Sequence, residues 1–134
     1  MVRVFVSYSW RDKAFVSRLV SDLKKRNVGV RMDDFALRVG EPMFMKVHEE
    51  IITADYLVVV LSKKSICSRW VGIELAMAIN KELKHERPFI LPALVEKCDI
   101  PLYLFDRKWA DFRTDYVFGL RGLLSVILDG KKER

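Results

Sequence analysis

The sequence predicts an α/β fold in which helices cover both faces of an open parallel β-sheet. Short apolar runs that suit strands alternate along the chain with longer segments of helical periodicity. The run 56–61 is uninterrupted and apolar, which is typical of a strand at the centre of a parallel sheet. A chain of 134 residues is long enough for one sizeable core, so residues 1–134 are expected to form a single domain.

Five strands are expected from runs of β-branched and aromatic residues. Pro92 interrupts the fourth run, and because proline cannot donate a backbone hydrogen bond, it indicates the end of that strand or an edge position. Residues 95–107 are expected to form a loop with a short turn at 102–104. The predicted strands are 2–6, 28–32, 56–61, 89–94 and 109–112.

Four amphipathic helices are expected between and after these strands. Asp12 and Ser68 are suitable N-cap residues for the first and third helices. In the last helix, the apolar side is expected to consist of Phe118, Leu123, Val126 and Ile127. The predicted helices are 13–27, 43–53, 69–85 and 115–128.

The composition is typical of a soluble globular domain, with 51% hydrophobic and 31% charged residues. No apolar run is long enough to cross a membrane, and the first residues enter a strand pattern directly, so no signal peptide is expected. Cys67 and Cys98 lack CxxC spacing, so neither a disulfide framework nor a zinc site is predicted. A reduced, cytoplasmic setting is therefore expected.

The formal charge of +6 raises the question of nucleic-acid binding. Lys24, Lys25 and Arg26 lie at the end of a predicted helix, where cations complement the helix dipole. No arginine-rich strip interleaved with aromatic residues is present, so no specific nucleic-acid partner is expected. A solvated basic surface that attracts anionic metabolites is the preferred interpretation.

Several common catalytic motifs are missing from the sequence. Neither GxGxxG nor GxxxxGK[ST] occurs, which argues against a dinucleotide fold of the dehydrogenase type and against an ATPase. No nucleophile elbow is visible. His48 and His85 are too far apart in sequence to indicate a metal pair, so no metal is expected. Cys67 is interpreted as a small buried hydrophobic residue.

The segment from Ser68 to Ile79 is the strongest functional candidate. Glu74 is the only charged residue between Arg69 and Lys81, and an isolated carboxylate in an apolar run needs solvent or a partner. Trp70 lies four residues earlier, so both side chains project from one helix face. An aromatic ring beside a carboxylate suits a cleft for a flat, cationic or sugar-bearing ligand, although it also occurs at ordinary helix boundaries.

Ligands of open parallel sheets bind at the carboxyl ends of the strands. The loops expected there are 7–11, 33–42 and 62–69, and the third leads to Trp70 and Glu74. These loops are therefore expected to converge on one cleft.

The motifs in this order resemble those of the Toll/interleukin-1 receptor (TIR) domain, of the stand-alone prokaryotic type. The resemblance covers nearly the whole chain. One departure is Arg31, because the position before the second loop is often aromatic in the family. The matching segments are 5–9 with Asp12, 33–40, 57–62, Trp70-x-x-x-Glu74-Leu75, 99–101 and 110–113.

This resemblance implies a flavodoxin-like sheet of five strands in the order 2-1-3-4-5. It also implies cleavage of NAD⁺ to nicotinamide and ADP-ribose or a cyclic ADP-ribose isomer, activated by self-assembly in signalling or antiphage defence. Glu74 is at the position of the catalytic glutamate, and Trp70 is at that of the tryptophan in the same motif. The 33–42 loop corresponds to the one that gates the pocket and contacts other TIR domains. NAD⁺ is then the substrate, and no cofactor is implied.

Other residues at the cleft are candidates for substrate binding, each with a structural alternative. Ser7 and Tyr8 are suited to bind ribose or phosphate, although Ser7 can equally cap a loop amide. Phe35 and Leu37 can close over the ligand or anchor their own loop. The remaining candidates are Asp33, which can instead form an Asx turn, and Gly40.

Three functions remain open from the sequence. The first is NAD⁺ hydrolysis by Glu74, since a single carboxylate is enough to stabilise an oxocarbenium-like ribose when the leaving group departs neutral. The second is a non-catalytic interaction module that docks other TIR domains through the 33–42 loop. The third is cleavage of another N-glycoside.

Overall fold

A computed structural model gives the structure of the chain and describes residues 1–32, 39–40, 43–63, 69–85 and 89–132. Of residues 43–45, 69–74, 85 and 130–132 it describes the backbone alone.

Five parallel strands form one sheet in the order β2-β1-β3-β4-β5. This confirms the predicted α/β architecture and the flavodoxin-like strand order. The apolar run 56–61 is buried along its whole length between β1 and β4, as its composition predicted. The strands are β1 (Arg3–Ser7), β2 (Gly29–Met32), β3 (Tyr56–Leu61), β4 (Ile90–Leu94) and β5 (Ala110–Asp111).

Helices connect the strands, and a single 3₁₀ turn at Trp10–Asp12 precedes the first of them. The predicted turn at 102–104 is a short helix. None of the helices that the structure describes is both long and apolar enough to cross a membrane. The described helices are α1 (Lys13–Lys25), α2 (Met43–Thr53), α3 (Arg69–His85), α4 (Leu102–Phe105) and α5 (Tyr116–Lys132).

The core consists of two apolar layers, one on each face of the sheet. Alternate side chains of a strand point to opposite faces, so Val4 and Val6 pack under α1 and α5, whereas Phe5 packs under α2 and α3. In the first layer, α1 contributes Val16 and Leu19. The second layer contains buried residues from three helices: Val47, Ile51, Leu75, Ala78 and Leu104.

Helix α1 ends two residues earlier than its periodicity predicts. Asn27 has a φ of 63°, a left-handed conformation that a continuing α-helix does not allow. Its N–H bonds to the carbonyl of Lys24, and the N–H of Val28 reaches back to the carbonyl of Leu23. These bonds satisfy the last carbonyls of the helix and turn the chain into β2.

The prediction that Pro92 marks a strand end or an edge was wrong. Pro92 is buried in the middle of β4, opposite Val59 of β3. The carbonyl of Leu94 points toward β5, so Pro92, two residues earlier, has its nitrogen on the same side. The ladder with β5 starts only at Ala93, and the missing N–H of Pro92 therefore disrupts no ladder hydrogen bond.

At the start of β4, side chains make the hydrogen bonds to the backbone that a neighbouring strand would otherwise make. The Glu82 carboxylate accepts hydrogen bonds from the N–H groups of Phe89 and Ile90, and Arg107 donates to the carbonyl of Ile90. Arg107 also binds Glu82 through two nitrogens, with contacts of 2.9 and 2.6 Å. Because β5 has only two residues, this ion pair occupies the place where a longer strand would pair with β4.

The predicted apolar side of α5 was partly wrong. Leu123 and Ile127 are buried as expected, but Phe118 and Val126 are exposed. The buried side of the helix instead includes Leu120 and Leu124, together with Gly119.

Candidate active site

All five strands are parallel, so the loops that follow them meet at one edge of the sheet, which we call the carboxyl edge. Strand β1 ends there at Ser7, and the neighbouring β3 ends at Leu61. The chain then leaves β3 through Ser62 and Lys63 toward α3, the helix that contains Trp70 and Glu74.

Ser7 is the most informative described residue at this edge. Its side chain is fully buried, with 0% exposure, and its hydroxyl has no hydrogen-bond partner among the described residues. A buried hydroxyl without a partner is unfavourable by about 1–3 kcal/mol. No amide among the described residues is capped by the Ser7 hydroxyl. Ser7 therefore stays a candidate for binding a polar ligand.

An aromatic residue that the sequence analysis passed over lies three residues farther on. Trp10 is 75% exposed, and the guanidinium of Arg11 lies 5.6 Å from the centre of its ring. Tyr8, one of the predicted binding residues, is half-buried and packs against the layer beneath α1 and α5. An exposed aromatic residue in a loop after a parallel strand is the signal that identifies Trp10 as a further candidate.

The prediction that the Asp12 side chain caps the first helix was wrong. Asp12 occupies the N-cap position of α1, but its side chain makes no capping hydrogen bond. Its carboxylate instead accepts a 2.6 Å hydrogen bond from the hydroxyl of Ser62, which is buried. Asp12 thus connects the loop after β1 to the loop after β3.

The carboxylate of Glu96 binds the backbone of Lys63, the residue that follows Ser62. The N–H of Lys63 donates a 2.8 Å hydrogen bond to Oε1 of Glu96, in the loop after β4. Ser62 and Lys63, the residues that lead toward α3, are thereby bound from the loops on both sides. The two partners are distant from them in sequence, so local patterns gave no sign of this arrangement.

The structure tests the remaining predicted site residues only in part. Trp70 and Glu74 belong to the helical backbone of α3, four positions apart as predicted, and their side chains lie outside the described part of the chain. Asp33, Phe35 and Leu37 also lie outside the described residues. Gly40 has a φ of 90°, and a Cβ atom at this residue would meet nothing within 4 Å.

Arg31, where the family often has an aromatic residue, makes an ion pair with Glu50. The distance between Nη2 of Arg31 and Oε1 of Glu50 is 3.1 Å. The pair connects the end of β2 to α2, across the loop that the sequence analysis assigned to the cleft.

Two titratable groups near the carboxyl edge have shifted pKa values. Burial raises the pKa of the Cys98 thiol, and the neighbouring carboxylates of Glu96 and Asp99 raise it further. This thiol therefore remains protonated at neutral pH and is a poor nucleophile. The side chain and backbone N–H of Arg113 lower the pKa of Asp111 by hydrogen bonding. Among the described residues, no group of three His, Cys, Asp or Glu is arranged to hold a metal ion.

A groove of about 540 Å³ lies elsewhere, between the C-terminal halves of α2 and α3. These halves point to the amino ends of the strands, because each helix runs antiparallel to the sheet. The groove is therefore remote from the carboxyl edge. Its lining consists of His48, Ile51, Ile52, Met77, Asn80, Lys81 and Lys84.

Comparison with known proteins gives the same assignment as the fold. The family model for the TIR domain matches residues 4–124. NAD(+) hydrolase TcpC of Escherichia coli is 30% identical over 89 residues, and 2′ cyclic ADP-D-ribose synthase AbTIR of Acinetobacter baumannii is 32% identical over 90 residues. Each match covers 66% of this chain but only 29% and 33%, respectively, of the relative.

A solved structure supports the fold independently. The TIR domain of the Toll-related receptor TRR-2 from Hydra magnipapillata matches with a TM-score of 0.78 at 19% identity, covering 93% of this chain and 97% of that one. The fold, the strand order and a family match over most of the chain agree, and the chain belongs to the TIR domain family.

Proposed function

We propose that this chain cleaves the bond between nicotinamide and ribose in NAD⁺, with Glu74 as the catalytic residue. The matched relatives are named as an NAD(+) hydrolase and a 2′ cyclic ADP-D-ribose synthase, and the TIR match includes position 74. The structural observation that carries the proposal is the buried hydroxyl of Ser7 at the carboxyl edge, which has no hydrogen-bond partner among the described residues. It supplies a polar group for a ribose beside the segment that leads to α3.

The chemistry requires little acid catalysis. Nicotinamide in NAD⁺ is cationic and departs as a neutral molecule, so the leaving group needs no proton. Cleavage leaves positive charge on the ribose, and one carboxylate in a dry cleft can stabilise that charge. Water then adds to the ribose carbon and releases one proton, giving ADP-ribose. In the cyclic product, a nucleophilic group of the ADP-ribose moiety attacks the same carbon in place of water.

The binding residues divide between the loops at the carboxyl edge. Ser7 and Tyr8 contact the ribose or a phosphate, and Trp70 packs against the nicotinamide or the ribose. The loop after β2 closes over the substrate through three further candidates and bends at Gly40, whose positive φ favours glycine. The three are Asp33, Phe35 and Leu37.

Self-assembly through the 33–42 loop is part of this proposal. Val39 in that loop is fully exposed, although its side chain is apolar. An exposed β-branched residue beside a glycine turn supplies an apolar contact for a second TIR domain. Assembly through this loop then activates hydrolysis in signalling or antiphage defence.

The test is chromatography of NAD⁺ after incubation with concentrated protein, compared with the Glu74→Gln variant. We expect nicotinamide from the unmodified chain and none from the variant. Glu49→Gln, which removes an exposed carboxylate on α2, is the matched control and should keep full activity. Circular dichroism of each variant establishes that the fold is intact. Equal turnover by Glu74→Gln and the unmodified chain would refute the catalytic assignment.

Measuring association and activity together distinguishes the enzyme from the non-catalytic interaction module. Val39→Asp should reduce both the sedimentation coefficient at high protein concentration and the rate of nicotinamide release, because a charge opposes apolar contact. If the unmodified chain associates through Val39 but releases no nicotinamide even when assembly is forced, the interaction module is the correct reading.

A further inference from the structure

The excess positive charge of this protein is confined to one part of the chain. Residues 1–32 contain eight Lys and Arg but only two Asp, a balance of +6. The remaining 102 residues contain sixteen basic and sixteen acidic residues and are neutral. The whole excess charge therefore belongs to β1, α1 and β2, at one end of the sheet. All eight basic side chains in this segment are exposed.

Part of this charge forms a stripe along α1. Lys13, Ser17, Ser21 and Lys24 are spaced by four, four and three residues, so they lie on one side of the helix, and Lys25 adjoins them. All five are exposed. We call these five residues the α1 stripe. At 1.5 Å per residue, it is about 17 Å long.

Four residues of the α1 stripe, Ser17, Ser21, Lys24 and Lys25, line an open groove beside the edge strand β2. The groove has a volume of about 560 Å³, and Met32 at the end of β2 lines its other side. The carboxylate of α1 lies elsewhere: Asp22 accepts a 2.5 Å hydrogen bond from the hydroxyl of Tyr116. Among the described residues, none of the three lysines of the stripe has an ion-pair partner.

Helix stability alone does not explain this pattern. Lys24 and Lys25 complement the negative end of the helix dipole, but Lys13 is in the first turn, where a cation is unfavourable. That turn contains no acidic residue. With Lys13 in the first turn, the helix has positive charge along its whole length, although a negative charge at that end would complement the helix dipole better.

The stripe also extends beyond the reach of a nucleotide in the proposed active site. Helix α1 starts at the carboxyl edge and runs back to the amino ends of the strands, so Lys24 and Lys25 lie at the opposite edge. A substrate bound beside Ser7 does not contact them. An anion that contacts the whole stripe must therefore span about 17 Å.

We propose that the α1 stripe binds the phosphate backbone of a single-stranded nucleic acid, without sequence preference. The stripe presents two hydroxyl donors, Ser17 and Ser21, between Lys13 at one end and two lysines at the other, and such donors along one side of a helix suit successive phosphate oxygens. Trp10 is exposed at the N-terminal end of the same helix and offers a flat ring on which a base can stack. Within residues 1–32 the large exposed hydrophobic side chains are Met1 and Trp10 alone, too few to anchor the segment in a bilayer, which disfavours a lipid surface.

The test is fluorescence anisotropy of labelled oligodeoxythymidine with the full chain, over a series of salt concentrations. Lys24→Gln/Lys25→Gln is compared with Lys97→Gln/Lys108→Gln, which removes the same charge from exposed positions in the neutral part of the chain. We expect the first variant to weaken binding by about tenfold or more at 0.1 M salt and to reduce the slope of log K against log salt by about 1.4. The control should retain most of the affinity.

Each contrary result overturns the proposal. Equal weakening by both variants would show that net charge alone attracts the oligonucleotide, and absence of binding at low salt would show that the stripe has no such ligand. Tighter binding to a duplex of equal length would refute the single-stranded assignment. Stripe-dependent binding to vesicles with anionic lipids, stronger than to the oligonucleotide at the same salt, would identify a membrane surface instead.

Discussion

The hydroxyl of Ser62 donates a 2.6 Å hydrogen bond to the carboxylate of Asp12, across 50 residues of sequence. The contact joins two loops of the carboxyl edge and replaces the capping bond that Asp12 would otherwise make to α1. The helix thus lacks the stabilisation of a side-chain cap, and the Asp12 carboxylate connects two loops instead. Asp12 follows Ser7 in the loop after β1, and Ser62 leads toward α3, the helix that contains Glu74.

Breaking this contact should impair catalysis more than substrate binding. A hydrogen bond to a charged group contributes about 1.5–3 kcal/mol, so Ser62→Ala should lower the free energy of unfolding by about 2 kcal/mol. Because Ser62 fixes the chain ahead of α3, we expect kcat for NAD⁺ cleavage to fall by about tenfold, with little change in KM. Steady-state kinetics and urea denaturation measure the two effects.

A double-mutant cycle with Asp12→Asn tests whether the two side chains act together. If they do, the double variant loses scarcely more activity than Ser62→Ala alone. Ser125→Ala is a suitable control, because that exposed hydroxyl bonds only to its own helix among the described residues. A fall in stability with kcat unchanged would mean that the contact is purely structural.

Glu82 and Arg107 predict how stability depends on pH. Burial alone would raise the pKa of Glu82, but hydrogen bonds from Arg107, from the N–H groups of Ile90 and Phe89 and from Tyr103 lower it to about 2. The ordinary value is 4.5. The contribution of Glu82 is therefore fully present above pH 4.5, because both the folded and unfolded states are then ionised. It is lost as the pH falls from 4.5 to about 2, where the unfolded state takes up the proton first.

Glu82→Gln should be destabilised by about 2 kcal/mol at pH 7, because it leaves the half-buried guanidinium of Arg107 without its charge partner. The deficit relative to the unmodified chain should shrink as the pH falls from 5 toward 2. Urea denaturation at several pH values measures it, with Glu49→Gln as the control for a lost exposed carboxylate. A deficit that is independent of pH would contradict the lowered pKa.

Two glycines of α5 should respond oppositely to substitution by alanine. A Cβ atom at Gly119 would lie 2.5 Å from Cγ of Phe112, a buried ring held edge-on by Phe15. Gly119→Ala should therefore destabilise the fold by about 1–3 kcal/mol. At Gly122, a Cβ atom would meet Ala110 at ordinary contact distances, 3.7 Å from its Cβ and 3.9 Å from its Cα, so Gly122→Ala should gain up to about 1 kcal/mol from helix propensity. Thermal unfolding of the pair measures both; equal effects would contradict the close approach to Phe112.

The same close approach explains what the sequence could and could not predict about α5. Apolar periodicity identified a helix, but the rotation of that helix depends on which side can lie against the sheet. Gly119 allows the backbone to approach Phe112, and this turns Phe118 outward. Which side of a helix faces the sheet depends on contacts between elements, whereas the presence of the helix follows from its local sequence pattern. The bounds of β3 and α2 matched their predictions because each depends on its own residues.

The candidate site shows the same division. Sequence alone indicated Ser7 and the carboxyl edge, because strand ends and loops follow from local pattern. It could not predict that Asp12 accepts from Ser62, or that Glu96 accepts from Lys63, because these pairs form only after the sheet assembles. Pro92 was misjudged for a related reason: whether a missing N–H matters depends on the length of β5, a different strand.

Ser7→Ala should separate folding from function. The Ser7 hydroxyl is buried without a partner among the described residues, so its removal takes an unsatisfied polar group out of the core. We expect the free energy of unfolding to stay the same or rise by about 1 kcal/mol. If the hydroxyl binds the ribose, kcat/KM for NAD⁺ should fall by about tenfold through loss of one hydrogen bond. Denaturation and steady-state kinetics on one preparation give both values. A less stable variant with unchanged kcat/KM would show that Ser7 serves the fold and has no part in binding substrate.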